Sequence, residues 1–508
     1  MPSRAAAAVE IVSPSPAPTT EALAAERRAF LSVFPGVMVA MLLAALDQTI
    51  LAAAIPAIVG ALGGLEDVSW LAAAYLLAAT TAAPMYGHLG DRFGRRQMLL
   101  AALAVLTVGS AACAAAQTMP QLVAARALQG LGGGGLMTLA QALISEFVPP
   151  RDRGRYQGYF AAVFAFSSTA GPVLGGYLTE HLSWRAVFTI NLPLGVIAAL
   201  LALRIRPRQP TATQSRFDLL GAALFAIAAT LGLYAFSSAG HRLPWNAPGL
   251  YVLLAVAAVA FATLAWWELR AADPLIPVRL LLVPAIRRSN ATVLLFAAAL
   301  FGSILYLPLY LQLARGLAVG ESGLLLLPIT LAVAASSAAT GRTISRTGRL
   351  TIFPSIGLAV SSAAFLALAV TVSSAPTWLV LSLTVAAAGG LGTVMPAIQI
   401  IVQDTAGAAA LGAATASVSV SRSMGGAIGS VVIGAVLFAL AGGADQGVAA
   451  LLSTAGETGT VALQHLAPAE RAALAGHLGS AFEAVFGTLA AIAAAGAALA
   501  ASIPRKRI

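Results

Sequence analysis

The sequence predicts an all-α polytopic membrane protein: fourteen transmembrane helices arranged as two six-helix bundles plus two inserted helices. Three observations predict it. The 508 residues are 59% hydrophobic and only 9% charged, with a mean hydropathy of +0.88, against about 25% charged in an ordinary soluble domain. Apolar runs of about 20 residues, enough to cross a ~30 Å hydrocarbon core, recur along the whole chain. The arginines gather in alternate connections between those runs. This composition excludes a soluble enzyme, a secreted disulfide scaffold and a disordered chain.

The runs lie at 32–58, 69–87, 97–116, 121–146, 157–179, 185–204, 218–237, 249–268, 288–312, 322–341, 350–372, 377–400, 410–439 and 480–502. They are rich in Ala, Leu, Val and Gly without period-2 alternation, so they read as helices and not as barrel strands. Residues 1–29, with Pro14, Pro16 and Pro18 in one run, are expected to form a disordered cytoplasmic tail. The N-terminal six-helix bundle occupies 30–204. Segment 205–285 holds a basic linker and the two extra helices. The C-terminal bundle occupies 286–503, and a basic tail, 504–508, closes the chain. Within the external connection 442–479, Pro468-Ala469-Glu470-Arg471 suggests a short helix on the surface.

An even number of spans puts both termini on one side, and the positive-inside rule makes that side the cytoplasm. On this topology 23 of the 29 basic residues fall in cytoplasmic segments. The net charge of +10 is then an orientation signal facing anionic membrane lipids, not a nucleic-acid surface. The single cysteine, Cys113, lies inside an apolar span, which excludes a disulfide framework and a cysteine metal site. The five histidines show no metal-ligand spacing. The Gly132–Gly135 run lacks the lysine of a nucleotide-phosphate loop, so no ATP site, metal or cofactor is expected.

An internal repeat supports the division into halves. Gly87, Arg92, Gly94 and Arg95 recur as Gly341, Arg346, Gly348 and Arg349, at a constant offset of 254 residues. Each set follows the second span of its half. Duplicated halves are the architecture of transporters that rock two bundles about a central site.

Charges are expensive at bilayer depth, and only Asp47, Arg126 and Arg422 sit well inside a span. A lone carboxylate at the depth of Asp47 is disfavoured in its charged form. It either loads and releases a proton or ties helices together. Arg126 stays protonated and needs a counter-charge; Asp47 is the intramembrane acid of the same half. Their pair is either a coupling device or a static brace. Arg422 either holds carbonyls or meets a substrate. Gly171-Pro172 and Gly175-Gly176 in the fifth span provide close packing or a gating hinge. In the loop Gly87–Arg96, Gly87 and Gly94 permit a tight turn, and Arg92, Arg95 and Arg96 bind carbonyls and headgroups. Asp91 interrupts that basic run, as an acid would if it docked on the N-terminus of another helix.

These residues resemble the major facilitator superfamily, in particular its fourteen-helix drug:proton antiporter branch. Gly87-x-Leu89-x-Asp91-Arg92-x-Gly94-Arg95-Arg96 is similar to the superfamily's loop signature. Arg126-x-x-Gln129-Gly130 resembles its fourth-helix motif, and Gly171-Pro172-x-x-Gly175-Gly176 its antiporter motif. Leu46-Asp47-x-Thr49-Ile50 through Ile55-Pro56, and Trp184-Arg185-x-x-Phe188-x-x-Asn191-x-Pro193, resemble stretches typical of the branch. The resemblance implies a monomer in a bacterial cytoplasmic membrane that exports lipophilic small molecules by alternating access, driven by a proton gradient. Asp47 would carry the proton, Arg126 would tune it, and the loop would latch the cytoplasmic side. Gln48, Tyr75, Phe164, Tyr306, Tyr310, Gln399 and Arg422 are candidates to line the cavity. Ser167 departs from the antiporter motif, which usually begins there with glycine. The tenth span lacks the acid of relatives that export dications, so a monocationic or neutral cargo is expected. Export of a lipid, siderophore or endogenous metabolite fits the same fold. A membrane sensor or scaffold that moves nothing is the remaining rival.

Overall fold

The computed structural model describes residues 20–63, 68–205, 218–238, 247–271, 278–315, 317, 324–407, 410–442 and 468–504. They are almost entirely helical, and each predicted span coincides with helix. In the N-terminal half these are α1 (Thr20–Ile50), a 3-10 turn (Leu51–Ala54), α2 (Ile55–Leu62), α3 (Val68–Phe93), α4 (Arg95–Ala115), α5 (Met119–Phe147), α6 (Pro150–His181), α7 (Ala186–Thr189) and α8 (Asn191–Leu203). The inserted pair is α9 (Leu219–Ser238) and α10 (Pro248–Glu268). The C-terminal half comprises α11 (Val278–Leu282), α12 (Pro284–Leu313), α13 (Leu327–Thr347), α14 (Ile352–Thr371), α15 (Thr377–Gly392), α16 (Val394–Ala406), α17 (Leu411–Gly442) and α18 (Pro468–Ala501). Among the described residues nine helices are long and apolar enough to cross a membrane, and Phe34–Ile50 and Leu219–Gly232 are shorter apolar stretches.

Three details differ from the sequence reading. Helix α1 begins at Thr20, inside the stretch read as a disordered tail; residues 1–19 lie outside the described set. The first, sixth and twelfth spans are each broken, by the 3-10 turn, at Ile190 and at Thr393. Pro468 does not start a separate surface helix: it opens α18, which runs unbroken to Ala501. The linker 206–217, the external segment 443–467 and the tail 505–508 also lie outside the described residues.

Local chemistry sets the helix ends. Proline occupies the first turn of α5, α6, α10, α12 and α13, where its missing N–H has no intrahelical partner to lose. Gly94 and Gly348, the two copies of one repeat position, both adopt positive φ, +95° and +67°. Each turns the chain from the second span of its half into the third.

Lipid gives apolar helices little reason to associate, so close approach of small residues does much of the joining. The glycines of α5 show this. A Cβ at Gly130 would lie 2.9 Å from Tyr75 Cα, at Gly132 2.7 Å from the Ala102 carbonyl, and at Gly135 2.6 Å from the Tyr86 ring. Helix α5 is thereby pressed between α3 and α4. The inserted pair sits against both halves: Phe225 and Leu264 form an apolar cluster joined by Met85 of α3 and Val420 of α17. Trp70 of α3 stacks on Tyr234 of α9 with 5.4 Å between ring centroids.

The two halves are filled differently. In the C-terminal half the buried apolar residues form one continuous cluster, from Ile286 to Ile503. In the N-terminal half they form two. Ala45, Leu106, Leu136 and Ala198 belong to one; Ile50, Cys113, Leu122 and Phe188 belong to the other. A polar layer separates them.

Candidate functional site

That polar layer is built around Asp47, in the last α-helical turn before the 3-10 break of the first span. Its side chain is fully buried. Oδ2 accepts from Arg126 Nη1 at 2.8 Å. Oδ1 accepts from Gln129 Nε2 at 2.6 Å and from Asn191 Nδ2 at 2.7 Å. Arg126 also donates to Gln129 Oε1 at 2.7 Å and, through Nε, to the Leu71 carbonyl at 3.2 Å. Its guanidinium lies over the Tyr75 ring, 4.4 Å from the centroid. Ser110 Oγ accepts from Gln129 at 2.7 Å. Four spans thus converge on one carboxylate, and its charge is both neutralised and hydrogen-bonded, as a buried charge requires.

The Gly171–Gly176 stretch packs directly on the next turn of the first span. A Cβ at Gly171 would strike the Thr49 hydroxyl, and one at Gly175 the Ile50 carbonyl. Thr49 Oγ1 donates to the carbonyl of Ser167 at 2.8 Å. Pro172 faces outward, and Gly176 has open space beside it. The side of α6 that carries Gly171 and Gly175 is therefore gripped to α1 two to three residues from Asp47.

A second group joins the halves at the end of the molecule that bears the arginine-rich loops, here termed the basic end. Asp91 Oδ2 accepts from the Gly412 N–H, 3.0 Å away at the N-terminus of α17. Its Oδ1 accepts from Arg95 at 2.7 Å, and Arg95 also pairs with Glu146 at 2.9 Å. Arg96 donates to the Leu203 carbonyl at 2.9 Å, and Arg92 lies against the Phe93 ring. A Cβ at Gly87 would sit 2.7 Å from the Gly412 carbonyl oxygen, and one at Gly154 2.7 Å from that of Gly341. In each half the second span therefore meets the fifth span of the other through a glycine pair. Ser145 Oγ adds a 2.6 Å hydrogen bond to Gln403 Oε1 across the same end.

The cavity candidates divide. Tyr75 belongs to the polar layer. Gln48 and Phe164 are partly buried, Phe164 against the apolar cluster of the N-terminal half. Tyr306 and Tyr310 are buried and tied into the C-terminal bundle, their hydroxyls donating to the carbonyls of Ser430 at 2.9 Å and Val372 at 2.8 Å. Gln399 is fully buried, with neither amide atom hydrogen-bonded. Arg422 is partly exposed and has no carboxylate partner among the described residues.

Sequence reasoning did not single out Ser110, Glu146, Gln403 or the contact of Asn191 with Asp47. Uncharged polar residues at bilayer depth carry no strong signal, and their facing is fixed only by packing. For Glu146 a signal existed: an acid at the end of a span opposite a basic loop.

Over residues 37–430 the sequence matches the Major Facilitator Superfamily. It is 37% identical over 404 residues to an uncharacterized MFS-type transporter of Mycobacterium tuberculosis (strain ATCC 25618 / H37Rv). That match covers 80% of this chain and 59% of the relative, so the chain spans less than two thirds of that protein's length. It is 33% identical over 411 residues to multidrug transporter protein MdtP of Bacillus subtilis (strain 168), covering 80% of this chain and 75% of that one. Among solved structures, the human organic anion transporter MFSD10 aligns with a TM-score of 0.63 at 15% identity, over 94% of this chain and 99% of that one. The proton:xylose symporter XylE aligns with a TM-score of 0.59 at 13% identity, over 94% and 97%. At such identities these structures speak to fold alone. Family match, relatives and the two joined bundles agree, and the chain belongs to the Major Facilitator Superfamily of membrane transporters.

Proposed function

We propose that this transporter exports lipophilic small molecules in exchange for protons by alternating access, with Asp47 as the proton-carrying group. It acts as a monomer in a bacterial cytoplasmic membrane, with the basic end and both termini in the cytoplasm. One observation carries the reading: α6 touches the Asp47 turn through Gly171 and Gly175, and the opposite half through Gly154. These contacts lie about 25 Å apart on one helix. A change at the carboxylate and a change at the basic end are therefore changes in the placement of the same helix.

With Asp47 ionised, three donors hold the first span against the fourth and sixth. A proton on Asp47 removes the charge that compensates Arg126, leaving the guanidinium to seek other acceptors and loosening α1 from α5. Helix α6, gripped to α1, moves with it and releases its contact with α13. The arrangement described here, pinned at the basic end by the glycine pairs and Asp91, is the form closed to the cytoplasm. The similarity to multidrug transporter protein MdtP supports a cargo of drug-like compounds.

Of the two cargo classes expected from the sequence, monocationic and neutral, the neutral is better supported. Asp47 and Arg126 compensate one another, while Arg422 adds a positive charge with no acid beside it.

The test is exchange in proteoliposomes with an internal pH dye and an imposed proton gradient. Wild type should move a fluorescent neutral lipophile against protons, and Asp47→Asn should not. Equal exchange by both proteins would place coupling elsewhere. No exchange by folded wild type would overturn the reading.

A further inference from the structure

Helices α16 and α17 are consecutive and antiparallel, and one hydrogen bond fixes their register: Gln403 Nε2 donates to Thr415 Oγ1 at 3.0 Å. One turn from Gln403, about 6 Å further from the basic end, α16 presents Gln399 on nearly the same face. On α17, Arg422 lies seven residues beyond Thr415. Seven residues are close to two full turns, so Arg422 shares the stripe that faces Gln403. Helical side chains lean toward the N-terminus of their helix, which brings the Arg422 guanidinium back toward the level of Gln399.

Neither side chain is satisfied by the protein. Gln399 is fully buried, yet neither Nε2 nor Oε1 has a hydrogen-bond partner. The neighbouring amides are served: Gln403 by Ser145 and Thr415, Asn290 by Ile286, Ser417 and Ser421. Arg422 makes no hydrogen bond or ion pair among the described residues, whereas Arg126 has a carboxylate, an amide and a carbonyl. A buried amide left unbonded is costly, and an unpaired cation at bilayer depth is more so. Two such groups on facing stripes of adjacent helices are complementary to one kind of ligand group. A planar pair of acceptor oxygens takes two N–H bonds from a guanidinium fork and a third from an amide NH₂. A cation or a hydrocarbon satisfies neither. The surroundings are apolar, with Val418 buried on the same helix and the Phe301 ring against Gly426 one turn beyond Arg422.

We propose that Arg422 and Gln399 form a recognition point for a carboxylate carried by a lipophilic cargo. This rests on the export reading and changes its cargo, from a neutral lipophile to one that carries an acid head. The cargo is an amphiphilic acid, whose apolar body lies among the neighbouring apolar side chains and whose acid head compensates the otherwise unpaired charge of the C-terminal half.

The test uses the purified full-length protein and needs no gradient. Binding of a BODIPY-labelled fatty acid and of its methyl ester is followed by fluorescence anisotropy. Wild type should bind the acid at least tenfold more tightly than the ester. Arg422→Gln should abolish that preference, Arg422→Lys should keep part of it, and Gln399→Leu should weaken the acid several-fold while leaving the ester unchanged. Equal affinity of wild type for acid and ester overturns the proposal even if no variant folds; so does a preference that survives in folded Arg422→Gln. The liposome assay separates this from the parent reading. Ester–proton exchange without any acid preference removes the recognition point and leaves export standing. Acid preference in binding without proton exchange does the reverse.

Discussion

Gly154 and Gly341 meet backbone to backbone across the two halves: a Cβ on Gly154 would lie 2.7 Å from the Gly341 carbonyl oxygen. There is no flexible side chain to yield, so a methyl group here must push the bundles apart. Gly341→Ala is expected to destabilise the form closed at the basic end by about 1–3 kcal/mol, the usual penalty of overpacking. Spin labels at the exposed positions Arg155 and Arg342, in a Cys113→Ser background, should report a longer distance in the variant. An unchanged distance distribution would show that this contact does not hold the halves together.

The pairing of Asp47 with Arg126 separates stability from coupling. Asp47→Asn leaves a buried guanidinium uncompensated and should cost about 3–5 kcal/mol. Adding Arg126→Gln removes the orphaned charge. The double variant should regain most of the lost melting temperature while still exchanging no protons. Proton exchange restored together with stability would make the pair a brace and nothing more.

Asn191 supplies one of the three donors on Asp47. Asn191→Leu should lower stability by about 1–3 kcal/mol and slow proton exchange as well. Asn290→Leu is the matched control. It removes a buried amide bonded to Ser417 and Ser421 in the other half, so it should lower the melting temperature without impairing exchange. Loss of exchange in both variants would assign the effect to folding.

Asp91 has no equivalent in the second copy of the repeat, where Ser345 stands and bonds the Gly341 carbonyl of its own helix. The asymmetry matches the helix ends being met. Helix α6 carries its own acid, Asp152, in its first turn; α17 has none and receives Asp91 from across the interface. Asp91→Ala should therefore weaken closure by about 0.3–1 kcal/mol, the usual worth of an acid at a helix N-terminus. The same spin-label pair would measure it, and a closed population equal to wild type would count against the latch.

The sequence carried the span positions because composition alone dictates them. It also carried the Asp47–Arg126 partnership, because these are the one acid and the one base that sit well inside the spans of that half. It could not show the break at Leu51–Ala54, since Leu-Ala-Ala-Ala is as apolar in a 3-10 turn as in an α-helix. Nor could it aim Tyr306 and Tyr310. Helices that are apolar all round have no periodic polar face from which to read direction, and both tyrosines proved to be bonded to carbonyls within their own bundle. The glycine contacts between halves were foreshadowed only by the repeat. Which helix each glycine touches is a property of the assembled bundles.

The polar layer that divides the N-terminal core has no counterpart in the continuous apolar core of the other half. A hydrogen-bonded layer with matched donors and acceptors tolerates little change, because each replacement orphans a partner. A core of Ala, Leu, Val and Phe accepts many substitutions that conserve volume. If Asp47 carries the proton and Arg422 meets the cargo, as proposed, energy conversion and cargo selection fall to halves that differ in their freedom to vary. Under selection the C-terminal bundle could then drift toward new compounds while the proposed proton machinery stays fixed, so that one inherited motor would serve a succession of cargoes.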